Sequence, residues 1–289
     1  MKSKTISIAG FNIRLQADDK EMLSLEEGYL SFISPRKFES ADVVIKSYGG
    51  IPDNLLNTSD LLFEAKNDEQ KFFSIHHQGE AYRFIIFDQQ LHDKIQQVAI
   101  LDKDLCEWKV YSDLTEKKEL FPLLYPLGPI VLYYLTLKSE AIMMHASGIF
   151  EHNRGRLFTG FSGAGKSTMA YLWQKSGAKI INDDRLIIRK ENGKYVMYNT
   201  PMFYIDVPKK APLNSVYLIK HGQSNNLEKI KGAAAVSGLM AFCVQHNYKS
   251  EFIERQLAFL TELCNTIPVY DTGFLPDTSI VDFIKNNEH

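Results

Sequence analysis

Cysteine is scarce in this chain: Cys106, Cys243 and Cys264 are isolated from one another among 289 residues. Three unpaired cysteines with no Cys-x-x-Cys spacing exclude a disulfide framework and point to a reducing, cytoplasmic compartment. No large basic block is present and the formal net charge is −2, which argues against a dedicated nucleic-acid binder. No internal repeat and no low-complexity tract appears. A signal peptide is not expected, because Met1 to Leu15 alternates polar and apolar residues like a strand, and Asn12 and Arg14 interrupt any apolar core. The longest uncharged stretch, Leu120 to Leu137, approaches the length of a short membrane span. Pro122, Pro126, Gly128 and Pro129 break its first half, leaving Ile130 to Leu137 as a buried helix and no membrane partner. The remaining composition, 45% hydrophobic and 24% charged, is that of a globular protein, and the length suits about two domains.

The most specific signal is the run from Gly160 to Thr168, Gly-Phe-Ser-Gly-Ala-Gly-Lys-Ser-Thr, which fits the phosphate-loop pattern GxxxxGK[ST]. Its glycines let the backbone turn tightly enough to aim several N–H groups at a phosphate; the lysine reaches the outer phosphates and the following hydroxyl suits Mg²⁺. The context agrees: Arg156 to Thr159 reads as a strand, Lys166 to Lys175 as a helix whose positive dipole end faces the loop, and Gly177 as its stop. The cofactor-binding set is therefore Gly160, Ser162, Gly163, Ala164, Gly165, Lys166, Ser167 and Thr168.

Two further signals gather around the loop. Ala141 to Phe150 and Arg156 to Gly160 flank Glu151 to Gly155, which reads as a hairpin with a longer loop. Pairing Phe150 with Arg156 would put His145 opposite Phe161, at the mouth of the loop. Asp183-Asp184 ends the strand after the loop's helix, where one carboxylate can hold Mg²⁺ and the other can serve an attacking hydroxyl. Adjacent strand residues face apart, so both can serve only if the chain bends there. Of the nearby arginines, Arg154, Arg156, Arg185 and Arg189, Arg185 is the first choice for balancing charge on a transferring phosphoryl group. Asn192-Gly193 marks a tight hairpin, so the strands around the loop form a mixed sheet rather than an all-parallel one. Trp173 reads as core, Lys209 and Lys210 as surface, and Glu251 to Cys264 as an amphipathic helix burying Phe252, Ile253, Leu257, Leu260 and Leu263. His246 has no visible partner.

Residues before Ser112 read as short strands, with a hairpin at His77-Gln78-Gly79-Glu80 and a helix over Gln90 to Ala99. His76 and His77 are neighbours in a strand and face apart, which suits packing rather than a metal site. A charged connector, Asp113 to Glu119, places the domain boundary near Asp113.

The ordered set of His145-Ala146-Ser147-Gly148, the loop and Asp183-Asp184 resembles the HPr kinase/phosphorylase-related branch of the phosphoenolpyruvate carboxykinase-like fold. Looser likenesses at Thr200-Pro201, Pro212 to Lys220, Pro268-Val269-Tyr270 and Pro276-Asp277 extend it from about Phe121 to Asn287. The resemblance implies ATP and Mg²⁺, with phosphoryl transfer to a hydroxyl. It implies that His145, Lys166, Asp183 and Asp184 form the catalytic set, with His145 beside the acceptor and the γ-phosphate. Ser167, Asp183 and Asp184 would form the metal set, with one aspartate on the metal and the other acting as base or aligning the acceptor. HPr kinases carry Glu where this chain has Thr168, and an acidic Arg- and Gly-containing segment where Gly232 to Gly238 is Ala/Gly-rich. HPr itself is thus not the implied acceptor; a peptide, another protein or a small molecule is. Related kinases form oligomers, although no interface is legible here. The expected architecture is α/β: a strand-rich domain over 1–112 of unread role, and a mixed-sheet, carboxykinase-like nucleotide-binding domain over 113–289. The alternative from a different class is a nucleotide-binding regulatory or assembly module with little catalysis. Oxaloacetate decarboxylation suits the chain less, because it is short and lacks a second metal set.

Overall fold

The computed structural model describes residues 2–288 except 19, 37, 92–93 and 114–118, so most of the expected connector lies outside the described residues. The chain forms two compact units. The first comprises Met1–Lys138, Pro201–Val207 and His246–Tyr248; the second comprises Ser139–Thr200, Pro208–Gln245 and Lys249–His289.

The first unit contains strands β1 (Lys2–Ile8), β2 (Phe11–Ala17), β3 (Met22–Leu23), β4 (Val43–Gly49), β5 (Leu61–Lys66), β6 (Lys71–Gln78), β7 (Ala81–Phe87), β8 (Ile95–Leu101), β9 (Glu107–Ser112) and β10 (Glu119–Leu120), and helix α1 (Leu127–Leu137). Eight strands form one sheet in the order β1-β2-β4-β9-β8-β7-β6-β5, and β10 pairs with β3 separately. The expected hairpin closes through Gly79, with Gln78 opposite Ala81. Of the helix expected over Gln90 to Ala99, residues 92–93 lie outside the described residues and 95–99 belong to β8. Its Val98 and Ala99 are fully buried and it pairs on both edges, so non-local pairing overrides any local helical preference. His76 is buried and bonded to Ser74 Oγ (2.8 Å) and the Ser59 carbonyl (2.9 Å), while His77 is exposed: a packing histidine beside a solvated one. Packing divides the chain after Lys138, not near Asp113, because α1 belongs with this sheet. Its Tyr134 ring lies edge-on to Phe84 (5.4 Å) and Trp108 (5.7 Å).

His246, without a partner in the sequence, sits in an aromatic box of Phe63, Phe73, Tyr133 and Tyr134, with ring centroids 4.4–5.5 Å away. Burial pushes its pKa down to about 3, so the folded state holds it neutral. A histidine that must stay neutral binds fewer protons folded than unfolded, so stability rises with pH and is lost as pH falls below the unfolded value of about 6.5. Urea unfolding at pH 5 should give a free energy about 2 kcal/mol lower than at pH 7 from this residue, and His246→Leu should flatten that difference.

The second unit contains β11 (Ala141–Glu151), β12 (Arg154–Thr159), β13 (Lys179–Asn182), β14 (Arg185–Glu191), β15 (Lys194–Asn199), β16 (Lys210–Pro212), β17 (Ser215–His221), β18 (Glu228–Ile230) and β19 (Val269–Phe274), with helices α2 (Lys166–Lys175), α3 (Gly232–Met240), α4 (Ser250–Thr266) and α5 (Ser279–Asn287). The sheet runs β16-β15-β14-β11-β12-β17-β19-β18, with β13 also on β11. It is mixed: β12, β17 and β19 are parallel and the other pairs antiparallel. Strand alternation sorts the core onto two faces. Leu157, Val216 and Val269 pack with α3 and α4, whereas Phe158, Tyr217 and Tyr270 pack with α2 and α5. Asn192-Gly193 makes the expected two-residue turn with both φ positive (49° and 75°). The amphipathic helix is α4; Phe252, Leu260 and Leu263 are buried, but Leu257 is exposed and Phe259 takes the inward position.

The β11–β12 hairpin is tighter than expected. His152 and Asn153 alone form the turn, with φ of 49° and 62°, so Phe150 pairs with Gly155 rather than Arg156. This one-residue slip moves His145 from opposite Phe161 to the level of Gly160, just past the last paired residues, Ala146 and Thr159.

Candidate active site

The glycine-rich loop that fits the phosphate-loop pattern bridges the end of β12 and the start of α2. Gly165, in the N-cap position of α2, has φ +92°, and a Cβ there would lie 2.7 Å from the Phe274 ring. A Cβ on Gly160 would lie 2.5 Å from the Ile219 carbonyl oxygen. Gly165 is thus required both by its positive φ and by the close approach of β19, and Gly160 by the close approach of β17. No side chain caps α2, which leaves its first N–H groups directed at the loop's concavity, an arrangement suited to anions. Ser162 and Ser167 are exposed there. The Lys166 ammonium donates to the Gly160 carbonyl (2.8 Å) and the Phe161 carbonyl (3.1 Å). Burial lowers its pKa, opposed by the negative charges of Asp183 and Asp184.

Both aspartates occupy a bend between β13 and β14, and these two strands lie along β11. The bend meets the condition set by the sequence for both carboxylates to serve one site. Asn182 shapes it: its Oδ1 accepts the Asp183 N–H (2.9 Å) and its Nδ2 donates to the Arg185 carbonyl (2.6 Å). Thr200, inside the Thr-Pro pair, donates to the same carbonyl at 3.1 Å. The two carboxylates have different surroundings. Asp184 Oδ1 faces His145 Nδ1 at 3.2 Å, and its Oδ2 accepts from Arg185 Nε at 2.7 Å. Burial alone would raise its pKa, but the hydrogen bonds from His145 and Arg185 and the positive charge of Arg185 hold it below the usual carboxylate range. Asp183 Oδ1 accepts from the Ser147 hydroxyl.

Of the candidate arginines, Arg185 lies at the site. Arg156 is buried on Glu288, with Nε 2.9 Å from Oε2, and lies 4.5 Å over the Trp173 ring; Arg154 faces the same carboxylate at 3.4 Å. Their guanidinium groups are committed to the core and its edge. Lys210 packs over the Tyr198 ring. Sequence reasoning missed His221, at the end of β17, whose Nε2 lies 2.8 Å from the Gly163 carbonyl and whose ring stacks on Phe274. Nothing local marks it; the parallel pairing of β17 beside β12 brings it to the loop. Ser147 and Asn182 were also missed as partners of the aspartates.

The donor chemistry of Asp183, Asp184 and the Ser167 hydroxyl fits Mg²⁺, a hard cation that takes one or two carboxylates and completes its shell with phosphate and water oxygens. Among the described residues no group of three or more His, Cys, Asp or Glu forms an all-protein metal site. Also among them, no helix is long and apolar enough to cross a membrane.

No protein-family model matches the chain, and no curated protein matches it significantly in sequence. Among solved structures, the Hpr(Ser) kinase/phosphatase from Coxiella burnetii is similar to it with a TM-score of 0.33 and 10% identity, over 50% of this chain and 94% of that one. The likeness is distant.

Proposed function

We propose that this protein is a Mg·ATP-dependent kinase transferring the γ-phosphoryl group to a hydroxyl of a peptide, protein or small molecule, on a carboxykinase-like P-loop domain. The observation that carries this reading is the joint placement of a phosphate-loop lysine and two carboxylates of unequal environment, one bonded to a half-exposed histidine. A loop that only held nucleotide would not need the second half of that arrangement.

The environments divide the roles. Asp184, with both oxygens engaged, orients rather than binds metal: it accepts Nδ1–H of His145 and leaves Nε2 as the proton acceptor. Asp183 and Ser167 would hold Mg²⁺. When bound, Mg·ATP supplies the transferable phosphoryl group and neutralises its charge. As the acceptor oxygen bonds to the γ-phosphorus and the bond to the β-bridging oxygen breaks, the acceptor proton passes to His145 Nε2 and ADP leaves. Lys166 and the loop N–H groups stabilise charge on the outer phosphates.

Asp183→Asn should remove the Mg²⁺-dependent part of the thermal stabilisation by ATP. His145→Gln should keep that stabilisation and lower turnover by about 10²–10⁴-fold. Both readouts need the folded chain with ATP, Mg²⁺ and an acceptor panel. Stabilisation in wild type with no acceptor-dependent turnover would favour the binding-module alternative.

A further inference from the structure

Beside the phosphate loop the second unit carries a cleft of ≈ 570 Å³, within the roughly 300–1,000 Å³ typical of small-molecule sites. Gly160 and Phe161 line it, so it is continuous with the loop. Phe161 is 74% exposed and edge-on to Phe242 at 5.0 Å, leaving much of its ring open. Leu218 on β17 and Ala234 on α3 add apolar wall. At its margin Lys220 and Asp271 pair at 2.7 Å and offset one another's charge. Such a site favours an apolar group and gives no net attraction to a phosphorylated metabolite or an acidic peptide.

The position relative to the triphosphate narrows the occupant. Lys166, which in this motif serves the outer phosphates, rests on the carbonyls of Gly160 and Phe161. That marks the start of the loop as the γ-phosphate end. A nucleobase is attached at the opposite end of the triphosphate. Phe242 also borders the catalytic strand, since its carbonyl accepts the His145 N–H at 2.9 Å.

We propose that this cleft binds the apolar body of the phosphoryl acceptor, so that the substrate is a hydroxyl compound bearing an apolar group about the size of an aromatic side chain. The assignment rests on the kinase reading above. Phe161 and Phe242 hold that body while its hydroxyl reaches the γ-phosphate past the start of the loop.

The test uses saturation-transfer NMR on the full chain with Mg²⁺ and a non-hydrolysable ATP analogue. The probes are N-acetyl-L-tyrosinamide, N-acetyl-L-serinamide and adenosine. Thermal shifts with Mg·ATP and Mg·tripolyphosphate run in parallel. The tyrosine probe should bind in preference to the serine probe and resist competition by adenosine. Ala234→Phe, on the exposed side of α3, should weaken it at least about tenfold and leave the Mg·ATP shift unchanged. Ser237→Leu, one turn along the same helix, provides an independent obstruction. Competition by adenosine, with Ala234→Phe erasing the advantage of ATP over tripolyphosphate, would make the cleft a base pocket and overturn the proposal. A nucleotide shift with no preference for the tyrosine probe would overturn the cleft assignment alone. Probe binding without any nucleotide shift would overturn the kinase reading and the acceptor assignment with it.

Discussion

Lys166→Ala is expected to lower turnover by about two to three decades, the cost of removing one preorganised donor from a site of developing charge. The same variant should also lose nucleotide binding. At a hundred times Kd, ligand that binds only the folded state adds about 2.7 kcal/mol, or roughly 5–10 °C in midpoint for a unit of this size. Wild type should show that shift with Mg·ATP, and Lys166→Ala should not. The apo fold should survive the substitution, because the ammonium is bonded to loop carbonyls and anchors no core residue. Thermal unfolding with and without Mg·ATP, followed by steady-state turnover, checks both parts. A full rate in Lys166→Ala would rule out the mechanism proposed here.

The second large effect concerns stability. Glu288 is 3% exposed and accepts from Arg156, itself 3% exposed, and from the Tyr217 hydroxyl. Burial favours the neutral acid, but the hydrogen bonds from Arg156 and Tyr217 outweigh it and hold the Glu288 pKa below its ordinary value of 4.5. Removing one member leaves the other charge buried and uncompensated, so Glu288→Gln should cost about 3–5 kcal/mol. Arg156→Met with Glu288→Leu should recover most of that, since well-packed apolar replacements often match a buried pair. Urea midpoints at pH 7 measure both. The sign with pH follows from the depressed value. The pair contributes fully above the unfolded carboxylate pKa, and its contribution is lost as pH falls through the lower folded one. The acid-labile part of this unit should therefore diminish in the double variant.

Legibility from sequence followed the range of the interactions. The Asn192-Gly193 turn and the strand–loop–helix around Lys166 depend on residues close in sequence, and their chemistry is visible there; the bend at Asp183-Asp184 entered the sequence reading only as a condition. The register of β11 against β12 was missed by one residue because His152 and Asn153 both take positive φ, which left-handed-tolerant side chains allow but no glycine advertises. The strand Ile95–Leu101 was misread because its identity comes from two neighbouring strands rather than from its own period. Arg156 stood among four arginines near the loop in sequence, with Arg185 preferred; its actual partner lies 132 residues away, beyond the reach of local reading.

By itself, then, the amino-acid order determined a glycine-rich loop between a strand and a helix that fits the phosphate-loop pattern, a mixed sheet and a nearby pair of carboxylates, since glycine conformational freedom, turn propensity and strand alternation act over a few residues. Tertiary structure decided what each group touches. It gave Asp184 to His145 and Arg185 and Asp183 to Ser147, brought His221 to the loop, sealed His246 among aromatic rings and opened an apolar cleft beside Phe161. Those outcomes depend on burial and on contacts between distant strands, and desolvation and pairing have magnitudes only once the chain has closed around them.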